Sequence, residues 1–173
     1  MNKFACVIAL GVGLLAVVGV RADEETVPLD KLPKAVKGAV EKRFPKVEMK
    51  SASKEKDGDK VVYEVSLKKD GKNVDVTVTE AGAITLIEQQ IDFKDLPKAV
   101  AKTFEEKYPK AKYEIVESVT KVADGKETLE YYEAKLMAGD KTWEVEVLPD
   151  GKLKGATEVK EEKKEEKKDE KKK

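Results

Sequence analysis

Along this chain the apolar residues change their spacing, and the change is written twice. From Asp30 to Lys46 the sequence reads DKLPKAVKGAVEKRFPK, with Leu32, Val36, Val40 and Phe44 at every fourth position. That spacing lays one apolar stripe along a helix of about three turns. Pro33 stands at its start, where a missing N–H costs little, and Pro45 ends the run. Asp30 is a candidate cap. Beyond it the period falls to two. Tyr63, Val65 and Leu67 alternate with Glu64 and Ser66, then Val74, Val76 and Val78 with Asp75, Thr77 and Thr79. This alternation predicts antiparallel strands with one buried face. Asp57-Gly58, Asp70-Gly71 and Ala81-Gly82 separate the runs and suit turns that need positive φ. A fourth strand is predicted from Ile84 to about Gln90.

The second copy of the helix lies 64 residues on, as KDLPKAVAKTFEEKYPK, with Leu96, Val100, Phe104 and Tyr108 in the stripe. Pro97 and Pro109 bracket it, and Asp95 is its candidate cap. Tyr132, Ala134 and Leu136, then Trp143, Val145 and Val147, repeat the alternating runs at an offset of 69. The extra residues fall around the first hairpin, whose turn is expected at Asp124-Gly125, so this arm should be longer. The expected fold class is α+β: a tandem repeat of one helix packed on a four-stranded antiparallel sheet, helices on one face and the other face open. A unit of about 65 residues buries little surface alone. Two such units can share a core or continue one sheet, and chain order leaves that choice open.

The termini are different in kind. Residues 1–22 have a basic start at Lys3, the apolar run FACVIALGVGLLAVVGV, and then Val20-Arg21-Ala22. This is the pattern of a signal peptide, with cleavage expected after Ala22 and no stable membrane span left afterwards. Residues 160–173, KEEKKEEKKDEKKK, have no apolar face, and the glutamates at 161 and 165 and the lysines at 163 and 167 repel at helical spacing. They read as a disordered Lys/Glu tail. The expected organisation is 1–22 signal peptide, 23–91 first repeat, 92–159 second repeat and 160–173 tail.

Composition narrows the chemistry. Cys6 is the only cysteine and precedes the expected cleavage point, so no disulfide or thiol chemistry is expected in the mature chain. The chain has no histidine, the commonest general base near neutral pH and a common transition-metal ligand. The repeats together carry a net charge of −4, without the basic face of a nucleic-acid binder. Asp57 and Asp59 flank a glycine but lack the rest of a calcium loop. No phosphate loop, nucleophile elbow or zinc spacing occurs. No cofactor, metal or catalytic residue is therefore expected. Glu64 and Glu133 hold equivalent strand positions, but 40% of the chain is charged, so such pairs arise by chance.

LPKAVKGAVEKRFP and LPKAVAKTFEEKYP, followed by YEV and YEA strands and glycine turns, resemble the PepSY-like group, which is related to the β-lactamase inhibitory proteins. The matching elements are Leu32-Pro33, Phe44-Pro45 and Tyr63-Glu64 in the first copy. In the second they are Leu96-Pro97, Tyr108-Pro109 and Tyr132-Glu133. The resemblance implies an extracytoplasmic binding module, periplasmic or secreted, that grips an envelope protein with its uncovered sheet face. This chain lacks the cysteines that stabilise the inhibitor relatives, and no inhibitory residue carries over.

By strand parity Trp143, Tyr63 and Tyr132 belong on the helix side. Glu64, Asp75, Thr77, Tyr131, Glu133 and Glu144 belong on the uncovered face and are the candidate partner-binding residues. As a sheet face without a lid it is expected to be solvated. The leading expectation is a non-enzymatic module that recognises, and in one form inhibits or modulates, an envelope protein. The alternative is a structural or cell-surface component held to the envelope partly by the charged tail.

Overall fold

A computed structural model describes residues 25–57 and 60–159. The expected signal peptide, the expected tail and the Gly58 side of the first turn lie outside the described residues. Two α-helices accompany nine strands, which form one sheet in simple sequence order. The first repeat supplies β1 (Glu25–Thr26), α1 (Lys34–Arg43), β2 (Glu48–Asp57), β3 (Lys60–Lys69), β4 (Lys72–Thr79) and β5 (Ile84–Gln90). The second supplies α2 (Lys98–Lys107), β6 (Lys112–Ala123), β7 (Lys126–Ala138), β8 (Lys141–Val147) and β9 (Leu153–Val159).

This corrects the expected fold class. The described residues form not tandem four-stranded units but a single, mostly β, nine-stranded antiparallel sheet with two α-helices. The repeats meet at β5 and β6, which pair from Leu86↔Lys121 to Gln90↔Glu117. Left as edges, both strands would expose a row of backbone donors and acceptors, and pairing them satisfies both rows. The additional strand, β1, is itself a repeated feature. Val27 N–H donates to Ala52 O at 2.9 Å, and 64 residues on Ile91 N–H donates to Val116 O at 2.9 Å. Thus β1 stands to α1 and β2 as β5 stands to α2 and β6.

Each helix buries its predicted stripe. Leu32, Val36, Val40 and Phe44 pack on Val65, Leu67, Val74, Val76 and Val78. Leu96, Val100 and Phe104 pack on Val116, Ala134, Leu136, Val145 and Val147. Ile87 of the first core pairs with Thr120, and Tyr132 beside the second core pairs with Ser118, so both helices lie on the same face. Trp143 packs against the second core, its ring 6.0 Å from that of Tyr108. Asp30 and Asp95 do not cap. The N-cap positions fall at Pro33 and Pro97, without a side-chain hydrogen bond.

Two glycines seat the helices. Gly82 (φ +85°) and Gly151 (φ +86°) close equivalent turns, each N–H bonded at 2.8 Å to the carbonyl three residues back. A Cβ on either would stand 2.7 Å from Ala35 O or 2.8 Å from Ala99 O. The first turn of each helix therefore rests directly on a hairpin backbone.

Bulges are duplicated too. Register shifts at Met49/Ser51 and Thr77/Val78 recur at Tyr113/Ile115 and Glu146/Val147. One more, at Val119/Thr120, belongs to the second repeat alone. It lies in the longer arm, whose strands run 12 and 13 residues against 10 and 10 in the first copy. The tip turns at Asp124 (φ 52°) and Gly125 (φ 74°), where the sequence places it.

Candidate functional site

The face opposite the helices is built by alternation. In β3 to β5 the residues whose neighbours enter the helix-side core are Glu64, Ser66, Asp75, Thr77, Leu86 and Glu88. Register carries the face across the seam. Asp75 pairs with Glu88, Glu88 with Val119, and Val119 with Tyr131. A second row runs Gln90, Glu117, Glu133, Glu146. Two residues back along β8, Glu144 stands opposite Lys135.

All six sequence-predicted residues share this face, yet it is not the solvated surface expected. Thr77, Tyr131, Glu133 and Glu144 are buried at 6%, 4%, 4% and 3% exposure. Glu64 and Asp75 are half-buried. The most enclosed carboxylates are two that sequence reading missed, Glu88 (1%) and Glu117 (2%). They lie on the strands that join the repeats, so their enclosure depends on a seam that chain order does not specify. Parity within β5, where Ile87 faces the core and Glu88 does not, was the one available signal.

Burial without neutralisation governs the electrostatics. Oε1 of Glu88, Oε1 of Glu117, Oε2 of Glu133 and Oγ1 of Thr77 have no hydrogen-bond partner. Desolvation, then repulsion from Glu117, Glu133, Glu64 and Asp75, pushes Glu88 up to about 9. Glu133 rises to about 8 from desolvation, then from Glu144, Glu146 and Glu117, with Lys154 opposing. Glu117 rises to about 7, by desolvation and then by Asp75. Asp75 is raised by burial, against a hydrogen bond at 2.6 Å from the Ser66 hydroxyl. Tyr131 is pushed well above the usual phenol range by burial and by Glu146 and Glu133.

Lys154 and Lys135 form ion pairs on this face, and Lys121 stands opposite Leu86 on it. Lys154 Nζ lies 2.6 Å from Glu146 Oε2 and 3.8 Å from the centre of the Tyr131 ring. Lys135 pairs with Glu114 at 3.4 Å. Neither ion pair includes Glu88, Glu117 or Glu133. Among the described residues, no three acidic groups are arranged to hold a metal ion. Glu64 and Glu133 are four strand spacings apart, about 19 Å along the sheet at ~4.8 Å per spacing, beyond the ~5–9.5 Å of a glycosidase pair.

A groove lies on the helix side. The longer β6–β7 arm crosses toward α1 and encloses a groove of about 700 Å³, lined by Ala39, Ile84, Ile87 and Val122. Arg43 closes it through two hydrogen bonds to Glu127, at 2.8 and 3.1 Å.

Comparison with known proteins places this architecture. A family model described as "Putative beta-lactamase-inhibitor-like, PepSY-like" matches residues 19–86 and 80–154. The chain belongs to this PepSY-like family. The two adjacent matches agree with two tandem PepSY-like copies. Among solved structures, a BLIP-like protein from Bacteroides fragilis has a TM-score of 0.57 at 20% identity, over 75% of this chain and 88% of its own. A protein from Bacteroides eggerthii, described as one of the "putative periplasmic proteins", gives 0.61 at 14% identity over 73% and 88%. A DUF2874 family protein from Bacteroides uniformis gives 0.60 at 15% identity over 73% and 89%. At these identities the likeness is one of fold. No curated protein sequence matches the chain. Among the described residues of this PepSY-like chain, no helix is long and apolar enough to cross a membrane.

Proposed function

We propose that this chain is a non-enzymatic binding module of the periplasm or cell exterior that recognises a protein partner with the sheet face opposite its helices. The observation that carries this reading is a broad polar face whose enclosed atoms Glu88 Oε1, Glu117 Oε1 and Glu133 Oε2 lack partners. An enclosed polar atom left unsatisfied costs about 1–3 kcal/mol, so a fold that keeps several in one place gains when a partner supplies their contacts. The solved BLIP-like and "putative periplasmic" proteins of similar fold support the same kind of role and compartment. Glu64, Asp75, Thr77, Tyr131, Glu133 and Glu144 form the contact surface in this proposal, with Glu88 and Glu117 added from the seam.

The test is affinity recovery from envelope extract. Glu64→Lys and Gln90→Lys alter half-buried positions of the sheet face. Lys37→Glu alters an exposed position on α1. The first two should lose a specific partner that the third retains. Equal recovery by all three would remove the sheet face from the reading.

A further inference from the structure

The enclosed carboxylates also define what kind of group would satisfy them. We propose that the Glu88–Glu117–Glu133 cluster is a receptor for a cationic side chain, an arginine or lysine that the protein partner lays over β5, β6 and β7 on this face. This rests on the proposed function and narrows it to the chemistry of the partner's anchor.

Three adjacent strands each contribute a glutamate more than nine-tenths buried, and each has an oxygen without a hydrogen-bond partner. Burial keeps protons on these carboxyls near neutral pH; once ionised their oxygens only accept, so the group that satisfies the ionised site is a donor. A cationic donor additionally relieves the repulsion among the acids. A guanidinium suits the site well, because its fixed fork of N–H groups can serve two carboxylates at once. A metal ion is the weaker fit, since no three acidic groups among the described residues are arranged to hold one. Water would satisfy single oxygens but leave the repulsion in place.

The surroundings fit a long side chain with a charged tip. Half-buried Leu86 and Ile115 on the same face would line an aliphatic stem. The charges that surround the cluster are Glu64 on β3, Asp75 on β4, Glu144 and Glu146 on β8, with Tyr131 on β7. Lys135 on β7 and Lys154 on β9 are opposing charges, each with its own acid, and exposed Lys121 on β6 stands opposite Leu86 on the same face. An arriving cation must draw protons off carboxyls held high by burial, so its binding releases protons and strengthens as pH rises.

The probe is the tripeptide Gly-Arg-Gly, blocked at both ends, with its citrulline counterpart as the neutral isostere. Both are titrated into the full chain, with backbone amide shifts as readout. The arginine peptide should bind and shift amides of β5, β6 and β7. Its affinity should be roughly tenfold or more above that of the citrulline peptide. It should fall by a similar factor in Glu88→Gln/Glu117→Gln/Glu133→Gln, and rise from pH 6 to pH 9. Absence of binding, equal binding of both peptides, or shifts outside these strands would overturn the proposal. So would binding that appears only after removal of residues 160–173, which would give the site to the chain's own lysines. The citrulline comparison uses the unaltered protein and stands even if the triple variant does not fold. If the peptide fails while partner recovery still depends on Glu64 and Gln90, the cation receptor falls and the binding face survives. Loss of both dependences removes the broader reading as well.

Discussion

A glutamate enclosed without a counter-charge stores a dependence on pH. Glu88, Glu133 and Glu117 titrate near 9, 8 and 7 in the folded chain, against about 4.3 when unfolded. Between those limits the folded state holds more protons than the unfolded one. The stability these three groups contribute is therefore fullest below about pH 4 and falls as pH rises toward the folded values, levelling off above them. Urea titrations at pH 5 and pH 9 should give the higher midpoint at pH 5, and equal midpoints would contradict the enclosure. Glu88→Gln keeps the shape and removes the titration. At pH 8 it should stabilise the fold, by up to about 5 kcal/mol, with the gain shrinking at pH 5. At the same scale, Gly82→Ala and Gly151→Ala combine positive φ with collision against a helix carbonyl. Each should cost more than Gly71→Ala, which shares the positive φ but meets nothing within 4 Å and carries only the ~1–2 kcal/mol backbone penalty. Thermal midpoints of the three variants would rank them.

At the scale of elements, the helices are short and held by what they cover. Each has 10 residues, too short to be stable by propensity alone. Phe104 is fully buried and touches the aromatic group of Phe93 and Tyr113. Phe104→Ala should cost about 3–5 kcal/mol. The Arg43–Glu127 pair that closes the helix-side groove is exposed at both ends, at 42% and 43%. Glu127→Gln should therefore change stability by less than about 1 kcal/mol, measured by denaturant titration. The longer arm is anchored instead by Val122, which packs against the first core. A bulge found only in this arm accompanies its path toward α1, in keeping with the local bend that bulges impose.

For the whole molecule, the seam between β5 and β6 decides how the halves behave. One continuous sheet, with an arm of the second repeat on the core of the first, should unfold as a unit. Calorimetry should give a single transition whose van't Hoff and calorimetric enthalpies agree, and two resolved transitions would overturn this. The sequence by itself determined what depends on neighbours along the chain. Helix stripes such as Val36 and Val40 follow from spacing, turns at Asp70-Gly71 and Asp124-Gly125 from positive φ, and the shared face of Glu64, Asp75, Thr77, Tyr131, Glu133 and Glu144 from alternation with period two. Tertiary structure alone decided that the repeats join edge to edge, that β1 completes the pattern, and that Glu88 and Glu117 are enclosed at the join. Spacing along a strand says which way a side chain points. Which strand lies beside it, and how much water remains there, depends on pairing between segments far apart in the chain.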